Sequence, residues 1–223
     1  DQGIGSRQTI KKLLKKNTVT VKDAIITDGG SQVNPTNDCI TYNGEILTYQ
    51  KHVTLMMNKP KGYVSASKDH LHDTLLSLIK TPYDHLPLKI IGRLDKDSEG
   101  LILLTTDGTL VHHLTSPKKK IYKTYEVTLD QPFQHIQEMQ QPFQIKDAKG
   151  KLYIPNQPHV TSISERVIII KIQEGKFHQI KRMCQHFGYE VIKLKRLAIG
   201  SLHLDPDLET GAYKEIHLHI EDL

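Results

Sequence analysis

The sequence predicts an α+β chain: a small helical/β module over residues 1–50, then, over residues 54–223, a larger domain with a mostly antiparallel mixed β-sheet flanked by helices. Two observations predict it. Strand-like runs outnumber helical ones, and many of the connections between them are short. The charge excess is also confined to one end. Residues 1–22 hold Arg7, Lys11, Lys12, Lys15, Lys16 and Lys22 against one acid, Asp1, a net +5 that equals the formal charge of the whole chain. Such an excess marks an appended module that meets a polyanion.

The elements follow in order. Ser6 is placed to N-cap a helix over Arg7–Lys16, with Ile10, Leu13 and Leu14 on one face and Lys11, Lys12, Lys15 and Lys16 on the other. That lysine face reads either as a phosphate-binding stripe or as a solvated surface. Val19 and Val21 alternate with polar neighbours, and Cys39–Tyr42 precedes the turn Asn43-Gly44; both read as short strands, separated by turns at Asp28-Gly29-Gly30 and Asn34-Pro35. In the larger domain Leu55–Lys59 reads as a buried strand and His72–Lys80 as a helix. Leu88–Ile91 and Leu101–Thr105 read as strands around a loop, and Ile121–Leu129 alternates as a strand with Tyr125 on its apolar face. Pro132 opens a helix through Gln140, Lys149-Gly150 a hairpin turn, and Arg166–Ile172 is a β-branched strand. A helix over Phe177–Phe187 is closed by Gly188, and strands follow near Tyr189–Leu197 and Ile199–Leu204.

Several function classes are excluded at this level. With 37% hydrophobic and 25% charged residues the chain is neither disordered nor fibrous. Its longest aliphatic runs, Leu101–Leu104 and Val167–Ile170, fall far short of the roughly 18 residues of a membrane helix. No targeting segment is expected at the start. Cys39 and Cys184 are too few for a disulfide framework or a cysteine zinc cage. These bounds describe a soluble protein of a reducing compartment. Gly175-Lys176 is followed by Phe177, so there is no P-loop, and neither G-x-G-x-x-G nor G-x-S-x-G occurs.

The densest polar segment is Gly92-Arg93-Leu94-Asp95-Lys96-Asp97-Ser98-Glu99-Gly100, set between two apolar strands. A calcium loop beginning at Asp95 fails because its twelfth position is Thr106 rather than Glu. A carboxylate pair, a nucleophile loop and a run of solvated charges all remain consistent with the composition. On the helix after Gly175, the apolar face is Phe177, Ile180, Met183, Cys184 and Phe187. Lys181 falls at the edge of that face, able to lean into a cleft, while Arg182 points outward. His178 and Cys184 lack a second ligand pair, so no metal is expected.

Gly92–Gly108 resembles the catalytic motif of bacterial ribosomal pseudouridine synthases, in the branch that acts on small-subunit ribosomal RNA. Asn58-Lys59-Pro60-Lys61-Gly62 is similar to the family's first motif, Lys123–Val127 to its tyrosine strand, and Glu174–Met183 to its C-terminal motif, in the family's order across about residues 54–204. Residues 1–50 resemble the RNA-binding module named after ribosomal small-subunit protein four. Measured against that module they are N-terminally incomplete, and Asn17, Lys22 and Asp23 replace the usual Gly, Asn and Gly.

The resemblance implies site-specific conversion of uridine to pseudouridine in ribosomal RNA, free or in an assembly particle, in the cytoplasm and without metal, cofactor or nucleotide. It implies Asp95 as the nucleophile that attacks a flipped uridine, Tyr125 stacking on the base, Lys181 pairing with Asp95, and Arg93 either occupying space near the vacated stack or contacting the RNA backbone. Lys181 reads alternatively as a contact to RNA phosphate. Asn58, Lys59 and Pro60 shape the site. Arg7, Lys11, Lys12, Lys15, Lys16 and Arg182 contact RNA. A carboxylate nucleophile suits this chemistry, and a stacked base must first leave its helix. A non-catalytic assembly factor, and a synthase acting on large-subunit or transfer RNA, are the competing readings. Lys118, Lys119 and Lys120 read equally as a solvated turn or a second phosphate patch.

Overall fold

In a computed structural model of the chain, residues 4–16, 18–34, 37–47 and 51–222 are described. Asn17 and Pro35 lie outside the described residues, and with them half of the Asn34-Pro35 turn. The chain divides into two compact units, one comprising Asp1–His52 and Ile79–Leu86, the other Val53–Leu78 and Pro87–Leu223.

In the first unit, α1 (Arg7–Leu14) begins where Ser6 Oγ accepts the Thr9 amide at 3.2 Å. Leu14 is buried, while Lys11, Lys12, Lys15 and Lys16 are exposed. Four short strands follow: β1 (Val19–Val21), β2 (Ala24–Ile25), β3 (Ile40–Tyr42) and β4 (Glu45–Ile46), paired antiparallel in the order β2-β1-β3-β4. Lys22 and Asp23 form the β1–β2 turn at φ 50° and 65°. Asn or Gly adopts that left-handed geometry with less strain than Lys or Asp.

The second unit is built on a nine-stranded sheet. Its elements, in chain order, are β5 (Thr54–Lys59), β6 (Lys89–Ile91), β7 (Glu99–Thr105), α2 (Gly108–Thr115), β8 (Lys123–Leu129) and α3 (Ile136–Met139). There follow β9 (Ile145–Lys146) and β10 (Leu152–Tyr153), a separate hairpin, then β11 (His159–Ser162), β12 (Val167–Ile172), α4 (Gln179–His186), β13 (Val191–Ile199), β14 (Leu202–His203) and β15 (Tyr213–Glu215). The main path is β11-β12-β8-β13-β7-β5-β15, with β6 on β7 and β14 on β13. Every pairing is antiparallel except β7 with β13. The mixed, mostly antiparallel sheet expected from the sequence is present. Leu55, Met57, Leu101–Leu104, Val127, Ile168 and Ile170 form its fully buried centre.

Three expected helices are corrected. Over His72–Lys80 only the single 3₁₀ turn Leu75–Leu78 forms, because Thr74 bridges to Val64 and the Leu75 amide donates to the Val64 carbonyl at 3.1 Å. The helix expected from Pro132 starts only at Ile136. Its first amides are engaged elsewhere: Phe133 N donates to Glu165 O at 2.7 Å, and Gln134 N to Tyr189 Oη at 3.2 Å. The helix expected from Phe177 starts at Gln179, since His178 has a left-handed φ of 53°; Phe177 is 57% exposed rather than part of the apolar face. One helix, α2, and several strands were not anticipated, among them β2 and β4 of the first unit and β11 and β15 of the second. α2 is capped by Asp107, which accepts from Thr109 N and Leu110 N, and it buries Leu110 and Leu114; β11 and β15 are the sheet's outer strands. No helix among the described residues is long and apolar enough to cross a membrane.

Candidate active site

The loop Gly92–Ser98 joins β6 to β7, which pair antiparallel from Lys89↔Thr105 to Ile91↔Leu103. It is held at several points. Ser65 Oγ donates to Leu94 O at 2.9 Å and accepts from Leu94 N at 3.1 Å, and Gly62 N donates to Lys96 O at 2.8 Å. Lys59, fully buried, directs its ammonium group to Ser98 O at 2.7 Å, Pro60 O at 3.0 Å and Lys96 O at 3.4 Å. Burial pushes the Lys59 pKa down to about 8 despite the opposing charges of Asp97, Asp95 and Glu99. The loop's exit depends on Gly100, at φ +98°: a Cβ there would lie 2.3 Å from the Arg196 carbonyl oxygen, across the β7–β13 contact.

From the other side come His178, the residue just before α4, and Lys181 on α4. Lys181 Nζ donates to Asp97 Oδ1 and Oδ2 at 2.6 and 2.8 Å and lies 3.5 Å from Asp95 Oδ2; His178 Nε2 is 3.6 Å from the same Asp95 oxygen. Lys181 is thus shared between two carboxylates, with Asp97 the closer. Burial works against the Asp97 carboxylate, but the hydrogen bonds and charge of Lys181 outweigh it and hold its pKa below the usual value. A cavity of about 390 Å³ opens beside Asp95. Arg93 and Asp95 border it from the loop, Tyr125 from β8, and Phe177 and His178 from the start of α4. Its volume is that of a small-molecule site, which suits one extruded nucleotide rather than a duplex.

Of the residues singled out in the sequence, Arg93, Asp95 and Tyr125 converge on one cavity, and Lys181 reaches Asp95 from α4 without bordering it. Arg182 turns elsewhere: Nη1 donates to Lys146 O at 3.1 Å, and the guanidinium lies 5.5 Å from the Phe177 ring centroid. Cys184 is buried, and burial pushes its thiol up to about 12, far from a reactive thiolate. Among the described residues no group of three His, Cys, Asp or Glu side chains is arranged to hold a metal ion. In the first unit, Arg7, Lys11 and Lys15 border a groove with Asp28, Gly29 and Gly30, whereas Lys12 and Lys16 do not. The sequence reading missed the Lys181–Asp97 hydrogen bonds and the contribution of His178. Both residues were visible in the motifs, but their proximity depends on the packing of α4 against the loop.

A family model described as RNA pseudouridylate synthase matches residues 53–186, the stretch that contains the loop, Tyr125 and α4. The chain belongs to the RNA pseudouridine synthase family. It is 37% identical over 225 residues to the uncharacterized RNA pseudouridine synthase YtzG of Bacillus subtilis, covering 97% of this chain and 91% of that one. It is 36% identical over 211 residues to the ribosomal small subunit pseudouridine synthase A of Vibrio cholerae, covering 94% and 89%. A crystal structure of a pseudouridylate synthase superposes with a TM-score of 0.69 at 30% identity, over 97% of this chain and 92% of that chain. The synthase is therefore an RNA-modifying isomerase, and the cavity beside Asp95 is its candidate active site.

Proposed function

We propose that this synthase converts a specific uridine of small-subunit ribosomal RNA to pseudouridine, with Asp95 as the nucleophile. One observation carries the assignment: Asp95 sits on a loop anchored from below by Lys59 and from the side by Ser65, and it borders a nucleotide-sized cavity opposite Tyr125. The relatives named small subunit synthases, similar along nearly the whole chain, support the choice of RNA. The target base leaves its stack and enters the cavity, where Tyr125 stacks on the uracil and Arg93 contacts the strand. The Asp95 carboxylate attacks the sugar of the flipped uridine as the N-glycosidic bond breaks, the freed base turns, and C5 bonds to the sugar as the carboxylate leaves. C5 then loses its proton and N1 gains one, so the isomerisation balances without a redox partner. Lys181, with His178 beside it, sets positive charge against the Asp95 carboxylate and orients it, and Asp97 holds Lys181 in place.

Residues 1–50 act in this reading as an RNA-binding module like that of ribosomal small-subunit protein four, and residues 54–223 as the catalytic domain. Arg7, Lys11, Lys12, Lys15 and Lys16, with Arg182, supply phosphate contacts. The substrate, as free RNA or in an assembly particle, places the enzyme in the cytoplasm. Tritium release from small-subunit RNA labelled at uracil C5, under single-turnover conditions, tests the assignment. Asp95→Asn keeps the side-chain size but removes the nucleophilic charge, and should slow release by several orders of magnitude, each factor of ten being about 1.4 kcal/mol of barrier. RNA affinity should persist. A variant as fast as the unaltered enzyme removes Asp95 from the mechanism. No release by the unaltered enzyme, on free RNA or particles, favours the assembly-factor reading.

A further inference from the structure

On β8 and β12 successive residues alternate between two faces of the sheet. Tyr125 and Ile172 border the cavity beside Asp95, whereas Thr124, Ile169 and Lys171 border a second groove, of about 720 Å³, on the opposite face. Thr124 and Lys171 are register partners there, and Lys171 pairs onward to His159 of β11. The turn Pro117–Lys119, with Lys120 at a left-handed φ of 51°, brings Lys119 and Lys120 to the same groove.

Three features of this groove point in one direction. Lys119, Lys120 and Lys171 are all exposed, and no carboxylate is among the residues that border it. None of the three lysines is ion-paired among the described residues. The Tyr122 and His159 rings stand beside them, with centroids 5.5 Å apart and Tyr122 Oη 3.2 Å from His159 Nε2, giving a polar-edged aromatic surface. Crowding unpaired ammonium groups costs free energy in the free protein, and a polyanion relieves that cost. Flat rings among exposed lysines suit unstacked nucleotides better than an acidic peptide, which has no bases to stack.

We infer that this groove is a second RNA-binding site, holding a single-stranded phosphodiester segment of the substrate away from the target uridine. The inference rests on the proposed RNA substrate and extends it. Since groove and cavity lie on opposite faces of the same strands, one RNA engages both by passing around the sheet edge at β11. A flexible single strand can make that bend where a stiff duplex cannot.

The test measures binding of a small-subunit ribosomal RNA transcript by the full chain across a range of salt concentrations. A triple variant, Lys119→Gln, Lys120→Gln and Lys171→Gln, should lower the log–log salt slope by roughly two, at about 0.7 for each single-strand phosphate contact removed. The corresponding Arg triple should restore the slope, because it returns charge to the same surface; this separates loss of contacts from loss of fold. A slope unchanged in the Gln variant overturns the inference and leaves the groove to a protein partner. A lowered slope that Arg does not restore also overturns it. Tritium release is scored separately. An unaltered enzyme that binds the transcript but releases no tritium defeats the catalytic reading alone, and an unchanged slope with normal release defeats only the groove.

Discussion

At the scale of single residues, the site depends on two lysines in opposite environments. Lys181 is partly exposed and shared between Asp97 and Asp95, whereas Lys59 is sealed beneath the loop against three carbonyl oxygens. Lys181→Met leaves Asp95 without its nearby ammonium group, so turnover should fall more than RNA affinity. Arg182→Met should do the reverse, because Arg182 borders the hairpin and Phe177 rather than Asp95. Measuring affinity and single-turnover rate for both variants decides this, and loss of binding with full turnover in both removes Lys181 from the catalytic centre. Lys59 makes a pH prediction. Its amine ionises at about 8 in the fold, against 10.5 for an ordinary lysine. Between those values the unfolded chain holds more protons than the folded one, so the contribution of Lys59 to stability grows as pH rises through that window. Lys59→Met should also cost about 1–3 kcal/mol by leaving loop carbonyls without a donor. Urea melts across the window should show the unaltered protein gaining on the variant as pH rises. A constant or shrinking difference rules out a desolvated ammonium group.

At the scale of elements, sequence periodicity was informative where one element's own residues decide its structure. Ser6 caps α1 as expected, and alternation places Tyr125 on the buried side of β8. It failed where a distant backbone group captures an amide, as Val64 does for Leu75 and Glu165 for Phe133. The lysine face of α1 also divides in the fold, with Lys11 and Lys15 on a groove and Lys12 and Lys16 away from it. Replacing all four by Gln should weaken RNA binding broadly and flatten its salt dependence, by about 0.7–0.9 in slope for each true phosphate contact. Restoring Lys11 and Lys15 alone should recover most of the effect if the groove is the contact surface. Equal recovery from Lys12 and Lys16 would show that the whole face acts as a diffuse charge. An unchanged slope would make it a solvated surface.

At the scale of the whole molecule, the sequence by itself determined the α+β class, the concentration of positive charge near the start, and the dense polar loop that carries Asp95. These are legible because patterning, capping and a dense motif are local properties of the chain. Asp95, Tyr125 and Lys181 were individually visible for the same reason. Only the tertiary structure decided what each one meets. The pairing of β7 with β13 brings Gly100 against Arg196, and α4 packing brings Lys181 to Asp97 as well as Asp95. The burial of Lys59 beneath Ser98 likewise joins residues 39 positions apart. The same holds for the two faces of β8, where neighbours Thr124 and Tyr125 serve different surfaces because the lysines that complete one of them come from β12 and a preceding turn. Local pattern states which side chains share a face; the long-range pairing of strands sets which charges share a space, and charge interaction depends on that distance.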